Sequence, residues 1–239
     1  MTTSFNRFDG LRVAVTGGTS GLGLALVDDF HRRGARVAFV ARTAARVEEV
    51  ARAHPASIGI VGDVARKDDI YSIALQITGN LGGLDVLVNN ASSLGPVPLA
   101  LLADTDCEAL EQALATNLVG PFRLTKAVAG ALASSARHGR GSVVINISSD
   151  AAVNAYPLWG AYGASKAALL QLTRIWNEEL AGEGIRVISF DPGDMDTPLH
   201  ALAVPDADVS TLRRPEASAR ELIDLVATEL AARAAQVVT

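Results

Sequence analysis

A tyrosine and a lysine four residues apart, Tyr162 and Lys166, are the pair best suited to proton chemistry in this chain. The segment reads as a helix, on which positions i and i+4 share a face, so the phenol and the ammonium can act as a unit. A phenol has an ordinary pKa of about 10, and a cation roughly 4–5 Å away favours the phenolate. We expect Lys166 to lower the pKa of Tyr162 by about 1–3, which makes the phenol a general acid/base. Taken alone, the Y-x-x-x-K spacing equally fits a packed tyrosine beside a surface lysine.

A glycine-rich turn lies between a first apolar run at 11–16 and a periodic stretch at 22–30. Gly17, Gly21 and Gly23 give it the spacing G-x-x-x-G-x-G. Glycines there let the backbone approach a pyrophosphate, and the N-terminus of the following helix offers unpaired N–H groups to the anion. Since many turns are glycine-rich for steric reasons only, its place between a strand and a helix is what favours a dinucleotide site. Its other predicted cofactor contacts are Thr19, Ser20 and Leu22.

Arg42 follows the second apolar run, 36–41, about 20 residues after the glycines, where dinucleotide folds contact the adenosine ribose. An acidic residue there would bind a free 2′-hydroxyl, whereas an arginine can pair with a 2′-phosphate through charge-assisted hydrogen bonds. We therefore predict NADP(H) as the cofactor in preference to NAD(H), with Thr43 beside it. The alternative is a solvated arginine that leads into the next helix.

Polar residues end two further apolar runs. Asp63 follows the run at 57–62 and can accept a hydrogen bond from an adenine amino group, cap the next helix, or do both. Asn89 and Asn90 end the run at 84–88, where amides could bind backbone groups beside a cofactor or form a turn. Asn117, a residue with low helix propensity, sits inside a long amphipathic stretch, where its polar side chain favours a local break in the backbone hydrogen bonding or a bound water.

Strand and helix patterns alternate along the chain, which predicts an α/β fold. We expect a single-domain, Rossmann-like, doubly wound parallel sheet of six to seven strands with helices on both faces and right-handed crossovers. Ligands of such sheets bind at the carboxyl ends of the strands. The predicted strands are 11–16, 36–41, 57–62, 84–88, 142–147 and 185–190. The predicted helices are 22–30, 46–53, 68–77, 107–137, 162–181 and 216–234, and 199–215 reads as a loop with room for a short helix.

The composition narrows the function classes. At 239 residues and 24.8 kDa, with 49% hydrophobic and 20% charged residues, the chain fits one domain over 1–239. It has no apolar run of about 20 residues and no signal-like start, so we expect a cytoplasmic protein with no membrane partner. The net charge of -5 and the scattered basic residues argue against nucleic-acid binding. A single cysteine, Cys107, and four dispersed histidines predict no disulfide and no metal site.

Together these motifs resemble the short-chain dehydrogenase/reductase family over residues 11–198. The resemblance rests on their order: T-G-x-x-x-G-x-G at 16–23, D-V at 63–64, N-N-A at 89–91, Asn117, Ser149, Y-x-x-x-K at 162–166 and P-G-x-x-x-T at 192–197. In the family the catalytic serine precedes the tyrosine by about a dozen residues, which selects Ser149 over Ser148.

The resemblance implies a role for each catalytic residue. Ser149 would bind the substrate carbonyl, and Tyr162 would give or take its proton. Lys166 would hold the nicotinamide ribose, and Asn117 would fix a water that relays protons. Thr197 would contact the nicotinamide side of the cofactor. The remaining implied cofactor contacts are Asp63, Val64, Asn90, Ala91, Pro192 and Gly193.

The chain departs from the family pattern at three places. Ser92 stands where a glycine usually follows N-N-A, and Asp191 stands where an asparagine often precedes Pro-Gly. The chain stops at Gln236-Val-Val-Thr239 without a glycine-rich strand and tail, which leaves a seventh strand and a tetramer open. The resemblance implies a homodimer through the helices that carry Asn117 and Tyr162, or a homotetramer.

The predicted reaction is NADP(H)-dependent interconversion of a ketone or aldehyde and its alcohol by hydride transfer. An apolar pocket favours a hydrophobic small-molecule carbonyl compound over a sugar phosphate. The alternatives are a 3-oxoacyl-carrier reductase, for which only Arg213 and Arg214 hint at a basic patch, and a cofactor-binding sensor without turnover. The predicted pocket residues are Leu94, Val153, Tyr156, Trp159, Met195 and Leu199.

Overall fold

A parallel sheet forms the centre of the fold. The computed structural model describes residues 8–236, with the backbone alone at 233–236. Six strands in this range pair in the order β3-β2-β1-β4-β5-β6. This confirms the predicted doubly wound parallel sheet; the suggested seventh strand concerned the C-terminal tail, of which 237–239 lie outside the described residues. The strands are β1 (Arg12–Thr16), β2 (Arg36–Ala41), β3 (Ile58–Val61), β4 (Val86–Asn89), β5 (Ser142–Ile147) and β6 (Ile185–Phe190).

Helices cover both faces of the sheet. On one face α1, α2 and α8 pack on the strands, and on the other α3 and α5 do, with α6 beside them. The helices are α1 (Gly21–Arg32), α2 (Ala44–Ala53), α3 (Lys67–Leu81), α4 (Cys107–Leu114), α5 (Gly120–Arg137), α6 (Gly160–Leu180), α7 (Pro198–Ala203) and α8 (Pro215–Gln236). No helix within 8–236 is both long and apolar enough to cross a bilayer.

The central strands are buried on both faces because helices cover each side, and their sequences are accordingly almost wholly apolar. Phe30 of α1 and Phe39 of β2 are among the largest fully buried side chains. Each such side chain contributes about 1.5–3 kcal/mol relative to an exposed one. The core on both faces of the sheet holds the strands in place. It therefore also fixes the positions of their carboxyl ends, where the functional groups are expected.

A buried ion-pair network lies at the amino-terminal ends of the strands. Asp85, directly before β4, is fully buried and accepts hydrogen bonds from the backbone N–H and the guanidinium of Arg12, at 2.6–3.0 Å, and from Arg140. Burial raises the pKa of Asp85, but the hydrogen bonds from Arg12 and Arg140 outweigh it and hold the pKa below its usual value. The network therefore joins the starts of β1, β4 and β5.

The predicted helix at 107–137 is interrupted. Between α4 and α5 the backbone makes a π-helical turn, Ala115–Val119, which contains Asn117. The expected local break in backbone hydrogen bonding is therefore present. Pro121, early in α5, has no N–H to donate back to the preceding turn, which suits the interrupted backbone hydrogen bonding there.

Candidate active site

A cleft of about 810 Å³ opens at the carboxyl ends of the strands, on both sides of the point where the strand order reverses between β1 and β4. Every predicted site residue lines this cleft except Gly23, Asn117 and Val153. No group of three histidine, cysteine or acidic side chains able to hold a metal ion exists in the part of the chain that the structure describes.

The glycine-rich turn is shaped by close backbone contacts. Gly17 has φ +69°, and a Cβ there would lie 2.9 Å from Asn90 Nδ2, which donates to Thr16 O at 2.8 Å and Gly17 O at 3.3 Å. Gly23 packs directly on the Gly17 carbonyl, so it supports the turn from behind the cleft. The N-cap of α1, Ser20, makes no capping hydrogen bond through its side chain. The first turn of α1 can therefore serve a pyrophosphate, and the turn fits a dinucleotide.

Two arginines lie near the glycine-rich turn: Arg42 lines the cleft, and Arg46 contacts the turn itself. Arg42, directly after β2, is exposed, lines the cleft and makes no ion pair with any acidic group among residues 8–236. Arg46, which the sequence reasoning missed, donates to Thr19 O at 3.4 Å and pairs with Glu49 at 2.6 Å. No helical spacing relates it to Arg42, because α2 begins at Ala44 and Arg42 lies before it. The guanidinium of Arg42 is thus available to an anionic ligand.

Asp63 lines the same end of the cleft. Its Oδ1 accepts from Ala65 N at 2.9 Å, two residues further on, in an Asx turn. Helix α3 begins later, at Lys67, so Asp63 is not its N-cap. Of the two roles predicted for Asp63, the helix cap is wrong, and the adenine contact stays a prediction.

Tyr162 and Lys166 lie on the first two turns of α6. Lys166 is 2% exposed, and its Nζ donates to Ile147 O at 2.7 Å, which ties α6 to the end of β5. The same Nζ lies over the Tyr162 ring, 5.4 Å from the centroid. Gly163 lets α6 lie close to the turn at Asp150–Ala152, because a Cβ at Gly163 would lie 3.0 Å from Ala151 O.

The predicted depression of the Tyr162 pKa is wrong for this arrangement of protein groups. Burial raises the pKa of Tyr162 to about 12, against hydrogen bonds from Ser149 and Ser92 that lower it. Burial also lowers the pKa of Lys166 to about 8. The ammonium faces the ring and a backbone carbonyl, so its attraction for a phenolate does not overcome the loss of water around both groups. Nearby Asp191 raises the pKa of both residues.

Of the adjacent serines Ser148 and Ser149, which both line the cleft, Ser149 is the one that lowers the pKa of Tyr162. Ser148 is buried, and its backbone N–H donates to Phe190 O at 2.8 Å. Ser149 Oγ accepts from Ala151 N at 3.2 Å and donates to Asp150 Oδ1 at 3.1 Å. The other carboxylate oxygen of Asp150 accepts from the Tyr156 hydroxyl at 2.7 Å. Ser149 is therefore held by its own turn and by a carboxylate that the sequence reasoning did not consider.

Asn117 is fully buried behind the cleft, and protein groups take all four hydrogen bonds of its amide. Oδ1 accepts from Ser93 N at 2.8 Å and from Ser92 Oγ at 3.2 Å. Nδ2 donates to Ser93 O at 2.7 Å and to Ser165 Oγ at 2.8 Å. The Asn117 side chain thus has no site left for a relay water, and Asn117 acts as a positioning residue that joins the N-N-A loop to α6.

The substrate half of the cleft has an apolar wall. Leu94, Tyr156, Trp159, Met195 and Leu199 line it, and the Trp159 ring packs edge-on against Tyr162 with centroids 5.6 Å apart. Val153 does not contribute, and that prediction is wrong. Its side chain is 72% exposed, because it follows the short turn Asp150–Ala152 and points away from the cleft.

Acidic groups and one histidine complete this half. Asp150, Asp191 and Asp194 line the cleft, and no Lys or Arg side chain in the described chain forms an ion pair with them. His200 of α7 also lines it, with Nε2 4.0 Å from Asp194 Oδ1. The sequence reasoning missed His200 because it read 199–215 as a loop. The signal was there: Thr197 is the N-cap of α7, and Pro198 is its first residue.

Comparison with known proteins agrees with the geometry. A family model described as short chain dehydrogenase matches residues 12–208. The chain is 38% identical over 194 residues to 2-(R)-hydroxypropyl-CoM dehydrogenase of Xanthobacter autotrophicus, covering 79% of this chain and 76% of that protein. Among solved structures, a 3-ketoacyl-(acyl-carrier-protein) reductase from Brucella melitensis complexed with NADH has a TM-score of 0.84, 25% identity and 91% coverage of each chain. A short chain dehydrogenase from Burkholderia cenocepacia in complex with NADP has a TM-score of 0.82 and 26% identity, covering 93% of this chain and 92% of that one.

Proposed function

The chain belongs to the short-chain dehydrogenase/reductase family, and from this membership we propose that it interconverts a ketone or aldehyde and its alcohol with NADP(H), using Tyr162 as general acid/base. It is an oxidoreductase of the family that acts on CH–OH and C=O groups. The observation that carries the proposal is the grouping of Ser149, Tyr162 and Lys166 at one end of a cleft whose other end is a glycine-rich turn.

The nicotinamide cofactor supplies or accepts the hydride when it is bound. The protein groups orient the substrate and move its proton. Ser149 binds the substrate oxygen and Tyr162 exchanges a proton with it, beside the apolar wall of the cleft. Lys166 is a hydrogen-bond donor held at Ile147 O, and it would bind a ribose hydroxyl of the cofactor. Asn117 keeps the N-N-A loop and α6 in register.

NADP(H) is proposed over NAD(H) because Arg42 is exposed at the adenosine end of the cleft and free of any acidic partner in the described chain. A 2′-phosphate would gain charge-assisted hydrogen bonds from this guanidinium. The Brucella melitensis structure holds NADH and the Burkholderia cenocepacia structure holds NADP, so the family accommodates both cofactors. The choice in this chain therefore depends on Arg42.

The charge of the substrate half favours a neutral or cationic small molecule. Asp150, Asp191 and Asp194 place negative charge around the apolar wall, and a cleft of one sign repels ligands of the same sign. This argues against an acidic carrier protein, although a structural neighbour is a carrier-linked reductase. Arg213, which could have formed a basic patch, instead pairs with Glu221 and donates to Pro192 O.

Cofactor titration and turnover test the proposal together. NADPH and NADH are titrated into the protein by reduced-nicotinamide fluorescence, and a panel of ketones and aldehydes is then assayed. Tyr162→Phe should leave the Kd for NADPH within about threefold and lower turnover by about 100-fold or more, because a positioned general acid contributes that much. Tyr71→Phe is the matched control, because Tyr71 is 75% exposed on α3 and does not line the cleft. Substantial turnover in Tyr162→Phe would refute the acid/base assignment.

Self-association through α5 and α6 is also proposed, as a homodimer or homotetramer. Phe122 of α5 and Ile175 of α6 are 38% and 45% exposed, and Phe122 stacks on Trp176 with centroids 5.4 Å apart. Apolar side chains this exposed on adjacent helices suit an interface between copies. Light scattering gives the assembly size, and Phe122→Glu should lower it.

A further inference from the structure

The hydroxyl of Ser149 has its hydrogen bonds directed by two neighbours in its own turn. Ala151 N donates to Ser149 Oγ at 3.2 Å, and a backbone N–H can only donate. Ser149 Oγ lies 3.1 Å from Asp150 Oδ1, and a carboxylate can only accept. Ser149 therefore gives its one proton to Asp150 and uses one of its two lone pairs on Ala151. A single lone pair remains for a ligand in the cleft, which Ser149 lines.

The carboxylate of Asp150 is also held from its other side. Its Oδ2 accepts from the Tyr156 hydroxyl at 2.7 Å. Each of the two carboxylate oxygens thus has its own hydroxyl donor, so the carboxylate is kept beside Ser149. Hydrogen bonds to an ionised acceptor are stronger than those between neutral groups, which favours the Ser149 hydroxyl that points at Asp150 over one that points into the cleft.

The two members of a carbonyl/alcohol pair offer different groups to such a serine. A ketone or aldehyde oxygen is an acceptor only, whereas an alcohol hydroxyl can donate and accept. An alcohol can donate to the remaining lone pair of Ser149 with no change in the turn. A carbonyl oxygen needs the Ser149 proton, so the hydroxyl must first leave Asp150. Binding of the carbonyl form therefore costs one hydrogen bond that binding of the alcohol keeps.

We propose that Asp150 is a positioning residue that directs the Ser149 hydrogen bond, so that the cleft binds the alcohol in preference to the ketone or aldehyde. In this role Asp150 acts through Ser149 and exchanges no proton. The inference rests on the proposed function, because it concerns which member of the substrate pair Ser149 binds more tightly.

Removing the carboxylate frees the Ser149 proton for the substrate. In Asp150→Ala the Kd of a neutral ketone should fall by about 3- to 10-fold, the effect of one ordinary hydrogen bond, since Asp150 is exposed and water competes for its carboxylate. The Kd of the corresponding alcohol should not fall, because the alcohol already has a lone pair to which it donates. A turn that had merely loosened would weaken the binding of both ligands.

Equilibrium binding separates this effect from the reaction rate. Every protein carries Tyr162→Phe, so that ketone and NADPH stay together without turnover and Ser149 is the remaining polar group proposed to bind the substrate oxygen. Calorimetry on the NADPH-saturated protein gives the Kd of one neutral panel ketone and of its alcohol. The further changes are Asp150→Ala, Asp150→Asn, Asp194→Asn, and Ser149→Ala with and without Asp150→Ala. A folding defect in one Asp150 variant leaves the other informative.

Asp194→Asn is the control for charge. Asp194 also lines the cleft, but its side chain is 83% exposed and makes no hydrogen bond to Ser149 in the described structure. Asp150→Asn removes the charge and keeps an acceptor oxygen, so its effect should have the same direction as that of Asp150→Ala and be smaller. In the Ser149→Ala protein, adding Asp150→Ala should change nothing, because the group through which Asp150 acts is gone.

We expect the ratio of the ketone Kd to the alcohol Kd to fall about 3- to 10-fold in Asp150→Ala and to stay within about 1.5-fold in Asp194→Asn. An unchanged ratio in both Asp150 variants would overturn the inference. An equal fall in the Ser149→Ala protein or in Asp194→Asn would also overturn it, because charge alone would then select the ligand. A wild type that turns over no ketone or aldehyde of the panel would instead contradict the proposed function.

Discussion

Replacing Lys166 by methionine should change how stability depends on pH. Lys166 is 2% exposed, and burial lowers its pKa from 10.5 to about 8. Below pH 8 it is protonated in both the folded and the unfolded state, so the folded protein bears the full cost of a buried charge. Between pH 8 and 10.5 the folded state has lost the proton and the unfolded state still binds it, so the free energy of unfolding rises with pH.

The size of the effect follows from the pKa. A difference of one in pKa is worth about 1.4 kcal/mol, so the change from 10.5 to about 8 is on the order of 3 kcal/mol. Most of this, roughly 2–3 kcal/mol, returns between pH 7 and pH 10. Methionine cannot donate to Ile147 O, but that loss is the same at every pH and does not alter the slope.

Urea unfolding of the wild type and Lys166→Met at pH 7, 8, 9 and 10, at fixed protein concentration, measures this directly. The wild type should gain about 2–3 kcal/mol relative to Lys166→Met across the range. Lys67→Met is the control, because Lys67 is an exposed lysine at the start of α3. A wild-type minus Lys166→Met difference that stays constant with pH would refute the idea that burial governs this lysine.

Three further substitutions test the cofactor preference, the charge preferred in the substrate, and the stability contributed by the ion-pair network of Asp85. Arg42→Ala should weaken NADPH binding by about 10- to 100-fold and leave NADH unchanged, as measured by fluorescence titration; equal losses would make Arg42 structural. Asp150→Asn should lower the KM of a carboxylate-bearing ketone several-fold relative to an ammonium-bearing analogue, and an unchanged KM ratio would remove charge as the selecting feature. Asp85→Asn should lower the free energy of unfolding by about 3–5 kcal/mol, because it leaves Arg12 and Arg140 without their buried partner. NADPH affinity should not change in Asp85→Asn. A large loss of affinity would show that the ion-pair network of Asp85 is coupled to the cleft at the opposite ends of the strands.

The strands and their ends could be predicted from sequence because both signals are local. Apolar runs located β2, β5 and β6 at the bounds the structure has, and glycine spacing located the turn after β1. Parallel topology then brings the strand ends together without further information. The juxtaposition of Ser149 with Tyr162 and Lys166 follows from that topology.

The electrostatics could not be predicted in the same way. The i, i+4 spacing of Tyr162 and Lys166 fixes their separation along the helix but not how much water surrounds them. Burial among Leu94, Ala151 and Trp159 reversed the expected direction of the Tyr162 pKa. Burial is a property of the whole fold, so a local pattern does not contain it.

Loop side chains were the other limit. Val153 and Tyr156 come from one short loop and read alike as pocket residues, yet Val153 faces solvent and Tyr156 lines the cleft. A loop has no fixed period, so the face on which a side chain lies cannot be counted along the sequence. Ser92 was noticed as a departure, but only the position of Asn117 gives its hydroxyl a partner.

The π-helical turn at Ala115–Val119 also changes the direction in which the side chains of the following helix point. An α-helix advances about 100° per residue, so one additional residue in a single turn rotates everything after it by about that angle. Helix α4 lies against α6, whereas α5 lies against α3 and the sheet. One continuous helical segment can therefore face two neighbours that lie in different directions. The number of residues in this turn is thus a structural requirement in its own right: it can accept substitutions of side chains, but the loss of one residue would rotate the buried side of α5 away from the sheet.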